Sequence, residues 1–302
     1  MSEDRPLRAF TFMLCAQLCF SLNILMLRLC ERAERLARDP HYHLPHWEAM
    51  VARSLLLLSW CLLILNRTKP RALERREEFW LWARGIAGVL SLSAYYYGVL
   101  HIPLGMASLF SNSSPLYVTL LALLFSGETL NRWGIYALIG GFIGVSLVVL
   151  GGFHGLSHVP GTALLIAGLS GPLSATAYFS IRQLKQVSTA QVMLSLGLGG
   201  SILSLLVIAF KGPQFPQSPS ALSWLFLSAL PAIAAQECLT RSFRNGPAAQ
   251  VAPLQYTGPL FSTLLASLFL EESLPLLAIV GIICVLVCGC AIPLWQAKKQ
   301  PS

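Results

Sequence analysis

Charge is what this sequence has least of. Only 11% of its 302 residues are Asp, Glu, Lys or Arg, while 55% are hydrophobic. A soluble domain carries about a quarter charged residues, so this chain could not cover a water-facing surface, and lipid is the solvent that suits it. The marks of several function classes are also missing. There is no CxxC…CxxC framework and no Cys/His metal spacing, and nearly all of the eight cysteines lie inside apolar runs, as small packing residues do. No nucleophile–base pair, metal cluster or phosphate-cradling glycine loop is recognisable, so neither a cofactor nor a metal is expected. The net charge of +8 would suit nucleic acid. The basic residues fall instead in short clusters between apolar runs, the pattern of the positive-inside rule, and no nucleic-acid partner is expected.

What is present is a series of long apolar runs. A membrane span needs roughly 20 apolar residues at about 1.5 Å rise each. Ten runs meet that need, at about 9–29, 47–65, 79–99, 103–125, 133–150, 161–181, 190–210, 221–241, 247–270 and 274–294. The first is too long for a signal-peptide core and reads as a span. The third–fourth and ninth–tenth connections are so short that their helices must be antiparallel neighbours. Charge then orients the chain. With the N-terminus cytoplasmic, inside segments hold 14 Lys and Arg and outside segments hold 4, which places both termini in the cytoplasm of a cell whose inner membrane the chain spans.

The chain repeats itself. Shifted by 144 residues, 103–130 lies on 247–274 without a gap, and 11 of the 28 positions are identical. Leucine matches are cheap in membrane helices. The informative ones pair Pro103 with Pro247, Pro115 with Pro259, Thr119 with Thr263 and Glu128 with Glu272. Leu27-Arg28-Leu29 also resembles Ile181-Arg182-Gln183 at a shift of 154, the ten extra residues falling in a long charged loop at 31–45. Each repeat holds five spans, an odd number, so the second enters the membrane from the opposite side. The expected fold is all-α: a polytopic membrane protein of ten transmembrane helices in two inverted five-helix repeats, residues 1–152 and 153–302. Inverted halves are a recurrent plan for secondary transporters.

One pattern is more specific. Tyr97-Gly98-Val99-Leu100-His101-Ile102-Pro103-Leu104-Gly105-Met106-Ala107 leads into Ser114-Pro115 and then Gly127-Glu128, and a second copy runs Pro247-Ala248-Ala249, Gly258-Pro259, Glu271-Glu272. This resembles the drug/metabolite transporter superfamily, its EamA-like ten-helix branch, over nearly the whole chain. The resemblance implies alternating-access transport of a small metabolite, such as an amino acid or a cofactor like S-adenosylmethionine, with other members carrying sugars or lipids. It implies a cavity between helices one, three, four, six, eight and nine. Import, export, exchange and proton coupling all stay open, as does the oligomeric state. A membrane-embedded enzyme acting on lipid or isoprenoid is the alternative, but it would need acidic, His or metal-binding clusters near one face.

Several residues could serve a midplane site. Pro115 and Pro259 sit near mid-helix, where each lacks a donor and clashes with the carbonyl four residues back, of Ser111 and Gln255. They are candidate hinges, or else packing kinks satisfied by Asn112, Ser113 or Ser114. Gln17, Asn112, Gln255 and Tyr256, with Asn23, lie at polar mid-depth positions that either touch substrate or tie helices together. Tyr96, in the run Tyr95–Tyr97, faces either the cavity or an interfacial aromatic belt. Glu237 is an intramembrane carboxylate, a functional candidate by default. It would meet a cationic substrate, carry a proton, or pair with Arg241 one turn away. The expected substrate-binding set is therefore Gln17, Tyr96, Asn112, Ser113, Glu237, Gln255 and Tyr256. Arg53 and Arg84 lie near helix ends and are expected to snorkel. Glu128 and Glu272 should serve helix termini, Gly140, Gly141 and Gly144 should allow close helix packing, and His41, His43 and His46 form a cluster outside the bilayer.

Overall fold

The computed structural model describes residues 6–68, 72–101, 104–130, 132–151, 161–270, 276–277 and 279–287. Pro103, Glu271, Glu272, Cys288, Cys290 and the junction at 152–153 lie outside them. The described elements are all helical. Three helices open the chain, α1 (Pro6–Ala37), α2 (His46–Thr68) and α3 (Arg75–His101). The fourth span is α4 (Leu104–Asn112) followed by α5 (Ser114–Phe125), and the fifth is α6 (Arg132–Gly151). In the second half, α7 (Gly161–Gly168) and α8 (Ser170–Gln183) make the sixth span. The seventh and eighth are α9 (Thr189–Lys211) and α10 (Pro219–Asn245). The ninth is α11 (Ala248–Val251), a 3-10 turn (Ala252–Tyr256) and α12 (Thr257–Leu270). Residues 279–287 belong to the tenth. Among the described residues, six segments are long and apolar enough to cross a membrane by length and composition. They turn large side chains such as Leu63, Phe125, Ile202, Phe210 and Leu230 outward, as a lipid-facing surface requires. The chain is a polytopic membrane protein.

Local chemistry sets the helix ends. Ser188 and Gln191 form a reciprocal capping box at the start of α9. Ser218 caps α10, with Pro219 at its first position. The region 31–45 departs from the loop read in the sequence, because α1 continues to Ala37. Residues 30–37 are mostly strong helix formers, and Glu31 pairs with Arg35 one turn on, at 3.7 Å. The end of the apolar run marks where the helix leaves the lipid and not where it stops. This extension docks on the start of α10, where the Glu34 carboxylate accepts the N–H groups of Gln217 (3.1 Å) and Ser218 (2.8 Å).

Packing follows the repeat. α1 runs along α10, α3 along α8, and α2 along α9. In span numbers these are 1 with 8, 3 with 6, and 2 with 7. Exchanging the two halves turns the first pair into the second and returns the third to itself, as an inverted pseudo-two-fold demands. The same exchange relates α5 on α8 to α12 on α1. The glycines of α6 work as expected from the sequence. Gly141 receives the ring of Tyr256, and Gly144 lies against Gly281 and Val285 of the tenth span, so small residues bring α6 close to both.

Candidate functional site

The site begins with two broken helices. Pro115 and Pro259 were read as mid-helix kinks, but the structure breaks the helix instead. α4 stops at Asn112 and α5 restarts at Ser114, which puts Pro115 in a first turn where its missing donor costs nothing. In the ninth span a 3-10 turn closes at Tyr256 and α12 starts at Thr257, two residues before Pro259. Ser113 and Thr257 correspond in the repeat, so the breaks are equivalent. Equivalent hydroxyls brace the two breaks: Ser113 Oγ donates to Phe110 O at 2.6 Å, and Thr257 Oγ1 to Leu254 O at 2.7 Å. Gly171 of α8 packs directly on the first break, where an added Cβ would meet Phe110 O at 2.6 Å.

One cavity lies beside these breaks, and a second adjoins it. One, with about 410 Å³ of empty space, is walled by Gln17 and Phe20 of α1, Ser111, Asn112, Ser114 and Pro115 of the fourth span, Ser174 and Tyr178 of α8, Leu239 of α10 and Gln255 of the ninth span. The other, about 460 Å³, is walled by Asn23, Leu27, Arg53, Ser54, Tyr96 and Gly200 among others. The Arg53 guanidinium of the second lies over the Phe20 ring of the first, 5.7 Å from its centroid. Both halves contribute walls to each. Spans two and seven add walls beyond the six expected.

The polar walls are partly held by local bonds. Asn112 Nδ2 donates to Ser108 O (2.8 Å), Asn23 Nδ2 to Ser228 O (2.8 Å), and Gln17 Nε2 reaches Met13 Sδ (3.4 Å). Tyr96 stacks on His46 with centroids 4.5 Å apart. Gln255 Nε2 is buried without a hydrogen-bond partner. A buried ion pair joins the two halves at one end of the molecule. The Glu128 carboxylate accepts Arg182 Nε and the Ala249 N–H, each at 2.9 Å, and both charged side chains are under a tenth exposed. Glu128 thus serves the first turn of α11, a helix terminus, and ties the first half to the second.

This architecture has known relatives. A profile of the EamA-like transporter family matches residues 7–150 and again residues 161–292. The chain belongs to the EamA-like transporter family. It is 30% identical to an uncharacterized transporter of Helicobacter pylori, over 81% of this chain and 84% of that one. It is 29% identical to the pseudopaline exporter CntI of Pseudomonas aeruginosa, over 78% and 81%. A solved crystal structure superposes on 97% of this chain and 99% of its own, with a TM-score of 0.77 at 17% identity. That likeness bears on the fold alone.

The EamA-like fold brings four of the seven expected binding residues to the cavities: Gln17, Asn112 and Gln255 to one and Tyr96 to the other. Three stand apart. Ser113 turns its hydroxyl into the helix break, and Tyr256 buries its ring on α6. Glu237 pairs with Arg241 at 2.6 Å, with 22% and 48% of the two side chains exposed. The alternative weighed for Glu237, an i,i+4 partner of Arg241, is therefore the contact the structure shows. Arg53 and Arg84 depart from the snorkelling expected of them. Arg53 walls a cavity, and Arg84 is 2% exposed with its guanidinium over the Tyr178 ring, 6.0 Å from the centroid. Tyr178 itself went unnoticed in the sequence, where nothing separates it from any other aromatic of an apolar run.

Proposed function

We propose that this EamA-like protein is a secondary transporter that moves a small organic metabolite, of the amino-acid or cofactor class, across the inner membrane by alternating access. The observation that carries this reading is a polar cavity walled by both repeats and placed at their two matching helix breaks. Near-equal halves can pack in two near-equal ways, one open to each side, and broken helices supply both the bend and the unpaired backbone at the site. Pro115 and Pro259 are the hinges in this reading. Gln17, Tyr96, Asn112 and Gln255 face the substrate. The 14-to-4 distribution of basic residues supports cytoplasmic termini, which places the Glu128–Arg182 pair on the cytoplasmic side. The relative named as an exporter supports outward transport.

The test is release from proteoliposomes loaded with a labelled mixture of amino acids and nucleoside cofactors. Members of the mixture should leave faster than from protein-free vesicles. Asn112→Ala and Gln255→Ala should slow release with insertion intact, and Pro115→Ala and Pro259→Ala should keep binding while turnover falls. Release equal to that of empty vesicles for the whole mixture would sink the reading.

A further inference from the structure

Arg53 and Arg84 are two cations inside apolar spans. Arg53 lies six residues into the run that begins at 47, about 9 Å, and Arg84 five residues into the run that begins at 79, about 8 Å. An arginine that snorkels reaches back to the near end of its helix. Arg84 does the reverse. Its Nη1 lies beside Gly88, one turn deeper, where an added Cβ would come within 2.6 Å of it. The missing side chain at Gly88 is what lets the guanidinium lie inward.

No carboxylate meets them among the described residues. The described ion pairs are Glu31–Arg35, Glu128–Arg182 and Glu237–Arg241. Glu34 spends both oxygens and Glu48 one on backbone N–H groups between Gln214 and Ser218, the second Glu48 oxygen is buried without a partner, and the described walls of both cavities carry no acid. Arg53 reaches only the amide oxygen of Gln236, at 3.4 Å. The orphaned polar groups point the same way. Arg84 Nε, Gln236 Nε2 and Gln255 Nε2 are all buried donors without an acceptor, on residues no more than 9% exposed. Buried charge and unpaired donors are costly unless something compensates them, and intramembrane charges mark substrate paths.

We infer that the two adjoining cavities together take a small organic anion, its carboxylate held by Arg53 at their junction over Phe20, with Arg84 adding positive potential from behind Tyr178. The inference rests on the transporter reading and gives that site its substrate class. A guanidinium fork matches a carboxylate in two parallel hydrogen bonds, the Gln236 amide oxygen steadies the fork, and the Gln255 amide on the neighbouring wall supplies a further donor. The Phe20, Tyr96 and Tyr178 rings offer an apolar surface that an organic body uses and an inorganic ion does not.

Thermal shift and direct binding on the purified full-length protein test this, with citrate, L-glutamate and succinate as carboxylates. Inorganic phosphate, spermidine and sucrose complete the panel at equal ionic strength. At least one carboxylate should raise Tm, while spermidine and sucrose should not. Arg53→Gln should weaken that carboxylate's binding tenfold or more, and Arg84→Gln should weaken it less. Without ligand, Arg53→Leu should hold or raise Tm, because it removes a cation within an apolar span that has no counter-charge among the described residues. A shift from phosphate alone, from spermidine or from sucrose, no shift from any carboxylate, or a large Tm loss in ligand-free Arg53→Leu would each overturn the inference. Release of a neutral or cationic metabolite from proteoliposomes would remove the anion and leave the transporter reading standing. A carboxylate that binds through Arg53 and is never released would do the opposite.

Discussion

Replacing Glu128 by Gln should open the end of the molecule where it joins the two halves. The carboxylate makes two charge-assisted bonds across the halves, to Arg182 Nε and to the Ala249 N–H, both at 2.9 Å. A glutamine keeps one acceptor oxygen, enough for the α11 backbone, and loses the charge opposite a guanidinium that is 7% exposed. One hydrogen bond to a charged group is worth about 1.5–3 kcal/mol. Breaking a fully buried pair by removing one partner costs about 3–5 kcal/mol. The pair sits near the edge of the bilayer, so a loss of about 2–4 kcal/mol is expected from these two bounds. If the contact exists only while this end is closed, the same energy shifts the two-state equilibrium toward the open form by a factor of about 30 to 700, at about 1.4 kcal/mol per tenfold. The assay is a double-mutant cycle of Glu128→Gln and Arg182→Gln read by denaturation of the purified protein. It is paired with the reactivity of a cysteine placed at Asn112 toward a membrane-impermeant thiol reagent added from the cytoplasmic side, with the native cysteines replaced. The two substitutions should be strongly non-additive, and labelling should rise in both variants. Additive effects with unchanged labelling would refute the claim that this pair holds the end shut.

Three further outcomes follow from the same contacts. Glu237→Gln should lower stability by only about 0.3–0.5 kcal/mol, the worth of an exposed i,i+4 pair, because Glu237 and Arg241 are both partly exposed; a release defect at unaltered stability would return Glu237 to the site. The outer extension should loosen in acid. Burial pushes the Glu34 carboxyl up, but bonds from the Ser218 hydroxyl and the Ser218 and Gln217 N–H groups, with Arg38 nearby, hold it below its ordinary value. That stabilisation is complete above the ordinary carboxylate range and is lost as pH falls through the depressed pKa, so proteolysis within 38–45 should accelerate on acidification in the parent and be fast at every pH in Glu34→Gln. Reporter fusions at Pro70 and Ser302 should read cytoplasmic and one at Gly155 external; a cytoplasmic Gly155 would break the inverted arrangement.

Much of the site was legible because depth along a helix is a counting problem. Gln17, Asn112 and Gln255 are polar residues at mid-depth in apolar runs, and the structure puts all three on one cavity. The prolines marked both breaks, though not their form, since whether a proline bends a helix or begins a new one depends on the turn before it. Arg53 and Arg84 were misread for another reason. Depth permits either snorkelling or burial, and the choice lies with the neighbours. The Arg84–Gly88 spacing was a usable signal, because a glycine one turn deeper leaves room for an inward guanidinium.

Composition, hydropathy and the repeat by themselves determined that this chain spans a membrane in two homologous five-helix halves, because only apolar helices of that length satisfy their backbones in lipid. They also determined where the two halves are equivalent. Tertiary structure alone decided which face of each helix looks inward. A single rotation of α10 about its axis separates Gln236, which reaches Arg53, from its neighbour Glu237, which turns to Arg241 at a partly exposed surface. Consecutive residues point about 100° apart, and helices in lipid are apolar nearly all round, so the sequence has no strong amphipathic stripe from which to read that rotation.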